Sequence, residues 1–342
     1  MSDRRSSAAP LSGGSLADRF LRLTPPALGI LLALFYVLAM DRDFDFSIGH
    51  FETDSVLFRA AVIIGAAGAL LSVLSWILYT GRTGLTALPA PSALSYFGGF
   101  LGAALSVALC VQNLLNYKQA LAAENPESLS PVKLFLVSAL LGLFLAAALV
   151  LSLFREGRHR WYALICTLFG TLSVNIAMFG AYFDFSLPLN SPVRNFTTLC
   201  QASVLLFLLG EARISLSAED VPGDLPAGYQ IFASSACAVF GIGIGGGGAV
   251  WQLIRSFSFG SEIIGKTPEP NLPVLRLALY LALGIIAADR LLHLSARRLT
   301  PEEIAERRQR ARDKAREKKE NKKNPPASGN ETLSNSSNSS EA

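Results

Sequence analysis

The chain has 342 residues, 51% hydrophobic and 16% charged, with 30 Lys and Arg against 26 Asp and Glu and a formal charge of +4. That excess belongs to one end, since 12 of the 30 basic residues lie between Arg297 and Lys323, which excludes a uniformly basic nucleic-acid-binding surface. The mean hydropathy of +0.39 averages a polar C-terminal segment with a body of eight recurring apolar stretches, a pattern foreign to an ordinary soluble domain.

The first stretch, Pro25–Met40, is the shortest. Val37 and Ala39 form a loose small-residue pattern of the kind that precedes signal-peptide cleavage, but 24 residues precede the run, more than a usual n-region. Phe20, Leu21 and Leu23 can lengthen the helix, with Pro25 and Pro26 tolerated near its first turn. The expectation is therefore a retained span preceded by a disordered segment over residues 1–19. The others follow at Val56–Tyr79, Ala93–Tyr117, Val132–Phe154, Trp161–Phe183, Phe196–Ile214, Tyr229–Ile254 and Pro273–Leu294. Most exceed the roughly 20 residues that cross a ~30 Å hydrocarbon layer. Leu134–Phe154 and Ala60–Leu74 are apolar or small nearly all round, as befits helices facing lipid and other helices. The fold class expected is all-α, a polytopic membrane helical bundle of about eight transmembrane helices over residues 20–296.

An even number of spans puts both termini on one side. The dense cluster Arg155-Glu156-Gly157-Arg158-His159-Arg160 in a very short loop, and the basic segment after the last span, place that side in the cytoplasm of a bacterial cell. Arg59, Lys133, Arg194 and Arg276 sit in first helical turns, where long side chains can snorkel to the interface.

Two features hint at a four-plus-four tandem repeat. Phe44-Asp45-Phe46-Ser47 after the first span resembles Phe183-Asp184-Phe185-Ser186 after the fifth, and Pro131-Val132 and Gly142 of the fourth align with Pro273-Val274 and Gly284 of the eighth. Asp45 and Asp184 would then be equivalent; as interfacial caps, their aromatic neighbours sit at headgroup level and the carboxylates in water. In the seventh span, Gly241-Ile242-Gly243-Ile244-Gly245-Gly246-Gly247-Gly248 favours close helix approach or an early helix end, with a discontinuous, substrate-facing helix as the alternative.

Ionisable groups at membrane depth are costly, so each is a candidate for function. The span centres are small or apolar. Asn175 and Gln201 are the deepest strongly polar residues, with Gln112 and Asn113 farther out. Glu211 and Arg213 close the sixth span, Asp289 and Arg290 the eighth, and a Glu211–Arg290 or Arg213–Asp289 pair would join the two helices. Cys110, Cys166, Cys200 and Cys237 form no close pair, and His50, His159 and His293 are scattered, so no metal site is expected. Nor is there a catalytic motif or cofactor fingerprint. The Gly-rich run lacks the Lys-Ser/Thr of a nucleotide loop.

Beyond the last span, Thr300 as N-cap, Pro301 at the first helical position and Glu303 three residues on form a helix start, and residues 297–323 are expected as a basic charged helix. Its balance of +6 suits an anionic lipid surface. Residues 324–342 should be disordered. The leading expectation is a non-enzymatic membrane component acting through intramembrane or tail-mediated interactions. Its partners would be the lipid bilayer, anionic headgroups contacted through Arg297–Lys323, and an unidentified membrane or cytoplasmic protein, with no nucleic acid and no cofactor. The alternative is a permease for a neutral or amphipathic solute. An intramembrane enzyme would need Asp45, Asp184, Glu211 or Asp289 to converge.

Overall fold

The computed structural model describes residues 16–45, 50–52, 54–80, 83–87, 91–122, 129–154, 159–182, 191–217, 227–259 and 274–298, together with Glu302, Ala305, Glu306, Gln309 and Asp313. Its helices are α1 (Leu16–Arg42), α2 (Val56–Tyr79), α3 (Ala93–Ala122), α4 (Leu129–Leu151), α5 (His159–Tyr182), α6 (Pro192–Ser217), α7 (Ala227–Phe240), α8 (Gly247–Phe259) and α9 (Val274–His293). A π-helical turn, Gly241–Gly246, joins α7 to α8 as one rod. Six of these rods are long and apolar enough to cross a bilayer: Arg19–Arg42, Val56–Tyr79, Ala93–Gln119, Trp161–Tyr182, Pro192–Ser215 and Ala227–Ser256. In α4 only Leu136–Leu151 is a shorter apolar run, and α9 carries Arg276, Asp289 and Arg290.

Side-chain chemistry sets the helix starts. Ser55 caps α2, its hydroxyl oxygen accepting the Phe58 N–H at 2.9 Å while its own proton goes to the Asp43 carboxylate. Ser92 does the same for α3, accepting the N–H groups of Leu94 and Ser95 at 3.1 and 3.4 Å. α1 begins at Leu16, within the stretch expected to be disordered, and runs through Pro25 and Pro26 as one helix.

Two short antiparallel sheets, neither foreseen from the sequence, mark opposite ends of the bundle. β1 (Phe44–Asp45) pairs with β2 (His50–Phe51). At the other end β3 (Thr83–Ala87) pairs with β4 (Ser295–Arg298), Thr83 opposite Arg298 and Leu85 opposite Ala296. Arg297 and Arg298, expected to open the basic helix, are thus strand residues: their backbone groups go to a partner strand, so a helix can begin only beyond them. Leu299–Ala342 forms a separate unit, whose described residues Glu302, Ala305, Glu306, Gln309 and Asp313 are helical and exposed.

The α7–α8 rod is the centre of the bundle, with α1, α2, α6 and α9 packed around it. On α2 the buried face is the stripe Ala61, Gly65, Gly68, Ser72 and Ser75, at alternating spacings of four and three, which lets a helix lie close to its neighbour. Ile63, Leu70 and Ile77 on its other face are 63–71% exposed, the mark of a lipid-facing surface. α3, α4, α5 and α6 follow as sequential neighbours, and α9 closes against α3.

The glycine run neither ends the helix nor breaks it. Its residues serve two seams. A methyl on Gly241 would lie 2.9 Å from the Tyr280 carbonyl oxygen, and one on Gly245 would lie 3.0 Å from that of Leu277, both on α9. A methyl on Gly247 would meet the Ala33 carbonyl oxygen at 3.1 Å, and one on Gly243 would meet the Leu32 side chain at 2.5 Å, both on α1. From α9, a methyl on Gly284 would lie 2.7 Å from the Ile242 nitrogen. The wider π turn keeps the backbone paired, with the Gly247 N–H reaching the carbonyls of Gly243 and Ile244.

Candidate functional site

Polar chemistry collects in two places. The first is a charged layer at the β3–β4 end, where α3, α6, α7 and α9 meet. Asp289 is 1% exposed; it accepts from the Ser92 hydroxyl at 2.5 Å and from the Ser95 hydroxyl, and its carboxylate lies 3.0 Å from His293 Nδ1. The next residue, Arg290, sends Nε to 3.7 Å from Glu211 Oε1. That same oxygen accepts the Gln230 side-chain amide at 3.1 Å. From α1, the Arg22 guanidinium donates to the Leu294 carbonyl at 2.7 Å.

These contacts explain how three ionisable groups are buried together. Each meets a polar or charged partner, which is what keeps a desolvated charge tolerable. Arg290 and His293 also lie in the last turn of α9, where the helix carbonyls favour positive charge. Of the two pairs considered from the sequence, Glu211 and Arg290 are brought together. Arg213 and Asp289 are not: Arg213 is exposed and its guanidinium lies 5.8 Å from the Tyr229 ring centroid.

The opposite end carries different chemistry. Phe44 is buried and meets Phe51 edge-on at 4.9 Å; Phe51 stacks on Phe58 at 4.3 Å, and Phe58 and Tyr36 both meet Phe196. The first Phe-Asp-Phe motif is thereby half accounted for: its leading aromatic seals the bundle, and Asp45 points out of the packed region as an exposed residue. Asp184 lies outside the described residues. Arg194, expected to snorkel, is instead 1% exposed and donates to the Tyr182 carbonyl at 2.9 Å, tying α6 to the end of α5. Arg255 reaches Asp41 at 3.8 Å.

The second place is a small, partly open cleft between α3, α4, α5 and α9. Its polar lining is Ser106 and Asn113 on α3, Ser138 on α4, Ser173 on α5, and Arg276 and Tyr280 on α9. Behind it, the Gln201 side-chain amide donates to the Tyr280 hydroxyl at 3.3 Å. Gln201 is fully buried and its Oε1 has no hydrogen-bond partner, as is the case for Asn175 Oδ1 on α5. Gln201 therefore contributes to the cleft through Tyr280 and not through Asn175. The sequence named Asn113, Gln201 and Arg276 separately but did not join them, and the serines passed as small packing residues. One serine facing a shared space from each of three successive helices is visible only once the helices are placed.

Among the described residues no group of three or more His, Cys, Asp or Glu side chains is arranged to hold a metal ion. Long apolar helices, a lipid-exposed apolar exterior and buried charge gathered towards the ends define an α-helical integral membrane protein. No protein-family model matches the chain, and none of the curated proteins or solved structures matches it.

Proposed function

We propose that this is an eight-span protein of a bacterial cytoplasmic membrane, both termini cytoplasmic, that works as a non-enzymatic membrane component through contacts in the bilayer and through its basic C-terminal segment. Counting α7–α8 as one, eight rods occur among the described residues, and on this reading α4 and α9 join the six that are apolar enough by themselves. With the β3–β4 end inside, the short basic connection between α4 and α5 and the residues after Arg297 face the cytoplasm, as the positive-inside rule favours. That segment would lie against anionic headgroups. The neighbour relations argue against extending this reading to a tandem duplication. α2 packs on α1 and α7, and its counterpart α6 packs on α5, but no substantial α3–α6 contact among the described residues answers the α2–α7 one.

The observation that carries the proposal is the double glycine seam. A carrier must open a path between helices, and here the central rod meets α1 and α9 at distances that leave no room for one methyl group. Of the described acids, Asp45 lies at the end opposite Glu211 and Asp289.

Native thiols test it. Cys200 and Cys237 are 1% and 0% exposed in the core. In sealed vesicles of either orientation, both should resist a maleimide reagent throughout, reacting only after denaturation. Modification of either in intact membranes would mean that the core opens, and would replace this reading with that of a permease.

A further inference from the structure

We propose that the cleft between α3, α4, α5 and α9 is a binding site for one oxyanion, a phosphate or carboxylate group, held by the Arg276 guanidinium and by hydroxyl donors from Ser106 and Tyr280. This goes beyond the reading above, and does not depend on it.

Ser106 is the first indication. It is 1% exposed, lines the cleft, and its Oγ has no hydrogen-bond partner. A serine inside a helix ordinarily disposes of its proton on a preceding carbonyl, as Ser72 does to Gly68 at 2.8 Å and Thr167 does to Ala163 at 2.6 Å. Ser106 does not, so a polar group shut away from bulk water is left for whatever enters the cleft.

Tyr280 is the second. It is 1% exposed and its phenolic oxygen already accepts from the Gln201 amide at 3.3 Å, which leaves the phenolic proton to donate. The lining charge is positive: Arg276 is in the first turn of α9, no carboxylate lines the cleft, and no ion pair to Arg276 occurs among the described residues. The N-terminal end of the α9 dipole adds positive potential at that first turn. A forked guanidinium and hydroxyl donors lining one cleft favour an oxyanion over a cation. Ser138, Ser173 and Asn113 add polar lining, and the narrow space admits one small group and excludes a large solute.

The anion can come from a lipid headgroup or from solution, and two probes separate these sources. The full-length protein is placed in phosphatidylcholine nanodiscs and given either phosphatidylglycerol or inorganic phosphate. Retained lipid is counted by native mass spectrometry, and phosphate binding is followed by calorimetry. We expect one equivalent to bind saturably, with phosphatidylglycerol alone indicating a lipid site and inorganic phosphate indicating a soluble ligand. Arg276→Gln should weaken that binding about tenfold or more, and Ser106→Ala by several-fold. Arg276→Lys should restore part of the loss. Ser138→Leu keeps the charge but fills the cleft, and decides the matter if Arg276→Gln does not fold. Saturable binding of neither probe, or undiminished binding to both Arg276→Gln and Ser138→Leu, would overturn the proposal.

Discussion

Replacing Arg290 by leucine should destabilise the protein by about 3–5 kcal/mol, the loss typical of removing one partner from a buried ion pair. The reason is less the lost attraction than what stays behind. Glu211 is 7% exposed and would keep the Gln230 amide, at 3.1 Å, but lose the Arg290 charge that offsets the desolvation of its carboxylate. Glu211→Leu should be damaging for the mirror-image reason, because Arg290 is 1% exposed. The double variant Glu211→Leu/Arg290→Leu should recover much of the loss, since two apolar residues of similar reach avoid both desolvation terms. Detergent-solubilised variants heated in steps and assayed for the fraction remaining monodisperse would read the order: double above either single. A double variant no better than the worse single would show that the two charges do not act as a pair. An Arg213→Leu control should change much less, because Arg213 is exposed and its charge is not desolvated.

Substituting alanine for glycine should have opposite signs at two positions in this bundle. At Gly284 the added methyl would lie 2.7 Å from the Ile242 nitrogen and 2.9 Å from the Gly241 carbonyl carbon, which are backbone atoms that cannot rotate away. The α9 helix must move off the central rod, and we expect a loss of about 1–3 kcal/mol or more. At Gly180, in α5, nothing lies within 4 Å of the new methyl, so the gain in helix propensity of roughly 1 kcal/mol should appear undiminished. The same heating assay would show Gly284→Ala lowered and Gly180→Ala raised relative to the natural chain. Two changes of equal sign would mean that the seam is not sterically closed.

Much of the candidate chemistry was readable as a list of residues and unreadable as an arrangement. Glu211 and Arg290 were visible as a pairing because both lie at helix ends on the same side, and alternation of direction fixes which ends coincide. Gln230, which shares the Glu211 oxygen, gave no signal: an amide in an apolar run looks the same whether it faces a carboxylate or a neighbouring methyl. Arg194 looked like a snorkelling charge and is instead buried against the Tyr182 carbonyl. The choice between those two fates depends on what the preceding helix end offers within reach.

The β3–β4 pair illustrates the same limit. Thr83–Ala87 and Ser295–Arg298 are more than 200 residues apart in sequence, and neither has an alternating apolar pattern of its own to announce a strand.

By itself the sequence determined the membrane class and the approximate position of each helix, because both follow from local hydrophobicity measured against a fixed bilayer thickness. It also marked the glycine run as exceptional and the midplane as poor in charge. Only the tertiary structure decided that the run stays helical through a π turn and serves two seams at once, that Asp289 belongs to Ser92, Ser95 and His293, and that Ser106, Arg276 and Tyr280 share one cleft. The physical reason is common to all three. Inside a bilayer every apolar helix satisfies its own backbone, so which helix lies beside which, and at what rotation, is chosen by steric fit and by a few polar contacts between residues far apart in the chain.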